Sequence, residues 1–152
     1  MHRDIKTDNI FQTKEGAYKL SDFGFARTLS ESPMTRCATA VYAAPELFED
    51  YDYDDVLDKP LALFNNKVDV WSLGVVVFEC ATGELPFEAP TQIKLEQEIR
   101  RGAPAFESIE NEDVRRIAQR MLTVAQEDRP TIKELFTTEP VLWDLVVAMG
   151  RE

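Results

Sequence analysis

Two short clusters near the start of the chain hold residues able to do chemistry. The first is His2-Arg3-Asp4-Ile5-Lys6-Thr7-Asp8-Asn9, and the second is Asp22-Phe23-Gly24. Between them run Ile10-Phe11-Gln12, then Lys14-Glu15-Gly16, then Ala17-Tyr18-Lys19-Leu20. A glycine-closed turn between two short apolar runs predicts a β-hairpin. That hairpin would bring Asn9, at one end, close to Asp22 at the other. Oxygen ligands from two loops, held by one rigid element, are what a divalent cation needs. Taken singly, Asp and Asn are ordinary turn residues. The two clusters, in this order and at this separation, carry the signal.

The spacing H-R-D-x-K-x-x-N followed by D-F-G resembles the catalytic and metal-binding loops of eukaryotic-type protein kinases. The resemblance implies ATP and Mg²⁺ as cofactors and a role for each matching residue. Asp4 would orient the substrate hydroxyl and accept its proton, and Lys6 would neutralise charge on the transferring phosphoryl group. Asn9 and Asp22 would hold Mg²⁺ on the nucleotide phosphates. Such chemistry needs positioning and positive charge rather than covalent work by the protein. Lys6, two residues past Asp4, is similar to the serine/threonine type. Thr7 stands where the family commonly has Pro. His2, the only histidine, resembles a structural residue packed under the loop.

Residues 22–46 are rich in Ser and Thr, lack helical or strand periodicity, and end in Ala44-Pro45-Glu46. A long loop in a folded domain is often functional. Bounded by D-F-G and A-P-E, this one resembles an activation loop. Thr35 resembles the activating phosphothreonine, and Arg3 is its expected partner through a bidentate pair. Thr28, Ser30 and Ser32 are weaker candidates. Thr39 resembles the threonine that braces the catalytic Asp and Lys, while Ala38 replaces a usual Gly.

The positioning elements follow. Residues 47–66 carry the acid-rich run 49–58 and are expected to be an exposed loop or a ragged helix, a solvated insertion. Residues 68–82 are apolar nearly all round. Periodicity alone leaves a central strand open, but length and the stop at Gly83 favour a buried helix. Asp-Val-Trp-Ser-Leu-Gly resembles the central helix of the kinase C-terminal lobe, which makes Asp69 a buried acceptor for backbone N–H groups of residues 2–4. Asp8 and Glu79 resemble acidic positions that read basic residues on the substrate. Thr91 caps a predicted helix over 92–101, residues 111–122 form an amphipathic helix, and Thr131 with Glu134 makes a capping box. The resemblance pairs Arg129 with Glu46 as structural support. Leu142, Leu145, Val146 and Met149 suggest a last short helix.

The 152 residues, 44% hydrophobic and 30% charged, suit a folded domain with a real core. A net charge of -11 argues against a nucleic-acid surface and permits basic peptide partners. Two cysteines, Cys37 and Cys80, make no disulfide framework and fit a reducing compartment. No apolar run of about 18 residues predicts a membrane span, and the polar start lacks a signal-peptide pattern. A cytoplasmic location is expected.

The expected fold is mainly α, a kinase C-terminal lobe whose helical bundle carries one short hairpin. Residues 1–137 form the partial kinase domain and 138–152 a helical tail. No glycine-rich loop, V-A-I-K lysine or partner helix precedes His2, so the N-terminal lobe is expected to be missing and the chain alone inactive. The helix at 68–82 would then show an apolar side, and association through that exposed face is expected. The function implied is a serine/threonine protein kinase acting on protein substrates, present as a fragment. The alternative is a catalytically inactive interaction module.

Overall fold

The computed structural model describes residues 1–26, 40–48 and 65–142. Its organising element is α1 (Lys67–Thr82), the run that periodicity alone leaves open to a strand and that length and Gly83 mark as a helix. It is a helix because sixteen residues, far longer than an ordinary strand, end cleanly at Gly83. Its apolar residues have no single face, and neighbours surround it. Val68, Val70, Trp71, Val75, Val76 and Phe78 are all buried. Each such side chain contributes about 1.5–3 kcal/mol when removed from water.

Three more helices and one hairpin complete the described structure. Strands β1 (Ile10–Gln12) and β2 (Tyr18–Leu20) pair antiparallel, Ile10 opposite Leu20 and Gln12 opposite Tyr18. Gly16 supplies the turn's positive φ of 87°. Helix α2 (Gln92–Arg101) starts where the Thr91 hydroxyl accepts from Lys94 N. Helix α3 (Glu112–Met121) starts at Asn111, whose Oδ1 accepts from Asp113 N and Val114 N. Helix α4 (Ile132–Thr138) carries the capping box of Thr131 and Glu134. Short 3₁₀ turns at Thr7–Asn9, Phe23–Phe25, Ala40–Tyr42, Pro45–Phe48 and Phe106–Ser108 join these pieces.

Two apolar clusters lie on opposite flanks of α1. The larger gathers Trp71, Val75, Phe78, Phe87, Ile99, Ile109 and Leu122, with the Trp71 and Phe87 rings stacked at 5.6 Å. The smaller joins Val70 to Ile117, Met121 and Leu135. Gly74 lets α3 come this close: a Cβ there would sit 2.7 Å from the Met121 Cβ.

This packing corrects one expectation. No large hydrophobic of α1 is exposed, because Leu73 and Val77 pack against both clusters, the smaller of which Val141 and Leu142 also cover. The exposed large apolar side chains among the described residues are instead Phe11, Tyr18, Phe23, Ile93, Ile132 and Phe136. They sit on the hairpin, beside it, and on α2 and α4. Of the residues proposed for a last helix, Leu145, Val146 and Met149 lie outside the described residues, as does the acid-rich run at 49–58.

The end of α4 is tied down by charge. Glu139, 3% exposed, accepts from Arg116 Nε at 2.9 Å and Arg120 Nη1 at 2.7 Å. Burial pushes its carboxyl up, but the bonds from Arg120 and Arg116 outweigh this and hold it below its usual range. A carboxyl depressed in the folded state adds stability above its unfolded pKa, near 4.3, and loses it as pH falls through the folded value. Glu139→Gln is therefore expected to be less stable than wild type at neutral pH. The gap should close in acid, read as melting temperature from pH 7 down to pH 3.

Candidate active site

The first cluster folds on itself. The 3₁₀ turn Thr7–Asn9 points the Asn9 amide back at Asp4, donating to Asp4 O at 2.7 Å and to Asp4 Oδ2 at 3.0 Å. Lys6 Nζ lies 3.2 Å from the same Oδ2. Asp4 is 5% exposed, so its charge is held by two donors in a mostly dry setting. One carboxylate oxygen is thus occupied, and no donor among the described residues is seen on Oδ1.

The loop is fixed from beneath by α1. Asp69 accepts from His2 N at 2.7 Å through Oδ2 and from Arg3 N at 2.8 Å through Oδ1. Sequence reading makes Asp69 buried; it is half-buried, because it sits in the first turn of α1 at the loop's edge. Arg3 adopts a φ of 70°, a left-handed conformation that costs a non-glycine residue about 1–2 kcal/mol. Two charge-assisted bonds offset that cost. Asp69→Ala is expected to lower stability by about 1.5–3 kcal/mol and to let residues 2–4 relax, measured by urea unfolding and by the amide exchange of His2 and Arg3.

His2 is buried and its tautomer follows from its partners. Its Nε2 lies 2.9 Å from Ser21 O, an acceptor only, so Nε2 carries the proton. Its Nδ1 then accepts from Asp4 N at 3.3 Å. The ring meets the edge of Phe23 at 4.8 Å between centroids. His2 therefore links the two clusters and holds them in register.

The hairpin brings the second cluster alongside the first. Ser21 donates to Asn9 O from both N, at 2.9 Å, and Oγ, at 3.2 Å. The next residue, Asp22, has a φ of 58°, and its exposed side chain accepts from Gly24 N at 3.2 Å. Among the described residues, no three His, Cys, Asp or Glu side chains gather to hold a metal ion. The oxygens the two loops offer are the exposed Asp22 carboxylate and the Asn9 Oδ1 that remains when the amide nitrogen faces Asp4. Both are hard oxygen donors, and Mg²⁺ usually takes one or two protein oxygens with water and phosphate. The residues present fit Mg²⁺.

Farther out, Glu46 and Arg129 meet as a two-pronged pair. Nη1 reaches Oε1 at 2.8 Å and Nη2 reaches Oε2 at 3.0 Å, with Arg129 fully buried. Glu79 is half-buried and accepts from Tyr42 OH at 2.7 Å; α1 continues past it to Thr82. Asp8 is exposed. Thr35 and Thr39, with Thr28, Ser30 and Ser32, lie outside the described residues.

Sequence reading misses three residues of this frame. Tyr42 joins Thr7 to Glu79. Lys67 Nζ donates to Gln126 O and Glu127 O, fixing the loop that carries Arg129. Ser72 Oγ donates to Tyr42 O at 2.9 Å. Each partner lies thirty or more positions away, so no local pattern marks it.

A buried aspartate flanked by lysine and asparagine, a D-F-G turn beside it and a helical frame beneath define a protein kinase domain. Residues 1–140 match the family described as protein kinase domain, and the chain belongs to it. It is 34% identical over 137 residues to serine/threonine-protein kinase SIK1 of Mus musculus, covering 89% of this chain and 16% of that protein. It is 35% identical over 137 residues to serine/threonine-protein kinase SIK2 of Gallus gallus, covering 89% and 16%. To serine/threonine-protein kinase Nek5 of Mus musculus it is 36% identical over 144 residues, covering 89% and 21%. The chain spans about a fifth or less of the length of these relatives.

Proposed function

We propose that this chain is the catalytic-loop part of a serine/threonine protein kinase that transfers the γ-phosphoryl group of ATP to Ser and Thr hydroxyls of protein substrates. The observation that carries the reading is the buried Asp4 carboxylate, one oxygen held by Asn9 and Lys6 and the other left for a substrate hydroxyl. Asp4 orients that hydroxyl and takes its proton as the new P–O bond forms. Lys6, already beside Asp4, offsets the negative charge on the phosphoryl oxygens. Asn9 and Asp22 would hold Mg²⁺, which when bound would neutralise phosphate charge. The serine/threonine assignment rests on Lys6, on Thr39 and on the names of the relatives.

The same reading keeps Thr35 as the phosphorylation site of the activation loop, with Arg3 as its partner, and Asp8 and Glu79 as readers of a basic substrate residue. Residues 1–137 are the kinase part and 138–152 a tail. A cytoplasmic location suits this activity, and among the described residues no helix is long and apolar enough to cross a membrane. The test is a transfer assay on the full-length protein containing this chain, with ATP, Mg²⁺ and matched peptides differing only in a Ser, Thr or Tyr acceptor. Labelled Ser and Thr peptides are expected; label on the Tyr peptide alone, or on none, overturns the reading.

A further inference from the structure

Helix α4 stops at Thr138 because Pro140 follows, and the residue before a proline is pushed out of the helical region. Glu139 accordingly has φ -114° and ψ 89°. The break gives neighbouring side chains opposite settings: Glu139 is buried and Thr138 is exposed. One guanidinium serves both. Arg120 Nη1 donates to Thr138 Oγ1 and, at 2.7 Å, to Glu139 Oε1. The Thr138 hydroxyl gives its own proton to Glu134 O at 2.8 Å, so only its lone pairs face Arg120. The other partner of Glu139 is Arg116, which is itself shared with Asp113. Arg120 Nε and Nη2 make no hydrogen bond among the described residues, and the side chain is 33% exposed. Negative charge on Thr138 Oγ1 would thus meet an arginine that a buried carboxylate already needs.

We propose that Thr138 is a phosphorylation site whose phosphate takes Arg120 from Glu139 and releases the chain that follows α4. The donor is ATP, used by a threonine-directed protein kinase. The Oγ1–P bond forms as the bond from the γ-phosphorus to its bridging oxygen breaks. ADP leaves, and the hydroxyl proton passes to that kinase's base. Thr138 is open to such an enzyme, because it is exposed and is the last residue of a seven-residue helix. The direction of the effect follows from charge. A phosphate brings about two negative charges, and the spare Arg120 donors turn to it. The same charge stands one residue from the Glu139 carboxylate, at the negative end of a helix, and both placements are unfavourable. Glu139 then keeps Arg116 alone in a dry setting. Its main chain carries the next turn, since Leu142 N donates to Glu139 O at 3.0 Å. Val141 and Leu142 pack against Val70, Ile117, Met121 and Leu135, so release of Glu139 uncovers that flank of α1 and α3.

Two measurements test this. Phosphopeptide mapping of the full-length protein, isolated from its own cells, is expected to find phosphate on Thr138; none there overturns the modification. Amide exchange of Glu139 and Leu142 is then compared in full-length protein carrying threonine or genetically encoded phosphothreonine at position 138. The phosphate is expected to speed exchange about tenfold or more, the effect of losing one hydrogen bond to a charged group. In Arg120→Gln the carboxylate has already lost that partner, so the phosphate should add less than about threefold. Exchange unchanged by the phosphate overturns the release, and a full effect that persists in Arg120→Gln overturns the part given to Arg120. Thr138→Val removes the hydroxyl without adding charge and should exchange like wild type. Exchange in that variant as fast as in the phosphorylated protein would mean that the lost hydroxyl, rather than the added charge, opens the turn, and would overturn the proposal as well.

Discussion

Arg129→Ala is expected to cost about 3–5 kcal/mol of folding free energy, the range found when one partner of a buried ion pair is removed. The whole guanidinium is committed. Nη1 bonds Glu46 Oε1 at 2.8 Å and Lys67 O at 2.9 Å, Nη2 bonds Glu46 Oε2 at 3.0 Å and Val124 O at 3.1 Å, and Nε bonds Thr123 O at 2.9 Å. Those five bonds use all five N–H donors an arginine has. Its carbon also lies 5.0 Å from the centre of the Trp71 ring. Alanine would leave the buried Glu46 carboxylate with only Gln126 Nε2, at 3.1 Å, to serve it among the described residues. Three backbone carbonyls would lose a donor at the same point. Since whole domains are stable by about 5–15 kcal/mol, much of the margin would go. Arg129→Lys should rescue little, because a point-like ammonium cannot span both carboxylate oxygens and three carbonyls. The check is the urea midpoint of each variant. A shift at unchanged slope reads the loss directly, and a midpoint within about 1 kcal/mol of wild type would show that Glu46 finds other partners.

How much of this was legible before the structure depends on how far apart the partners lie. The hairpin was readable because Gly16 and its flanking runs are local, and the strands fall at Ile10–Gln12 and Tyr18–Leu20. The caps at Thr91 and Thr131 were readable for the same reason: a side chain bonds a backbone N–H three residues on. Helix α1 was harder. A helix buried on all sides has no amphipathic period, so only its length and Gly83 told it from a strand. The pairs Asp69 with residues 2 and 3, and Glu46 with Arg129, span more than sixty positions. They came from the family resemblance, since spacing cannot supply them. Tyr42 and Ser72 stand inside recognised stretches and Lys67 beside one, but their partners lie thirty or more positions away, so neither motif nor local pattern names the bonds they make. The supposed bare face of α1 was an error of a different kind. Gly74 lets α3 approach closely, and Leu73 and Val77 pack, as Val141 and Leu142 do, against the smaller cluster.

Asp4→Asn is expected to lower phosphoryl transfer by about 10²–10⁴-fold, the usual contribution of a positioned acid or base. The choice of asparagine matters. Asp4 does two things at once: it offers a charged oxygen, and its Oδ2 and carbonyl anchor the Asn9 amide. Alanine would remove both functions and strand the buried Asn9 amide, adding about 1–3 kcal/mol of instability to any loss of chemistry. Asparagine keeps the size and an oxygen for Asn9 Nδ2, so the loop and its main-chain bond to Asn9 should persist. What it lacks is the charge that pairs with Lys6 at 3.2 Å and the basicity to take a proton. Lys6 is partly exposed, so water can replace the Asp4 charge beside its ammonium and the structural cost should be small. The expected pattern is therefore a melting temperature close to wild type with kcat reduced by orders of magnitude. Steady-state transfer on the full-length protein, read beside a melt of the same sample, separates the two. Transfer within about threefold of wild type would remove Asp4 as the proton acceptor and leave it an anchor for Asn9. Transfer and melting temperature falling together would mean that its charge holds the loop rather than serving the reaction.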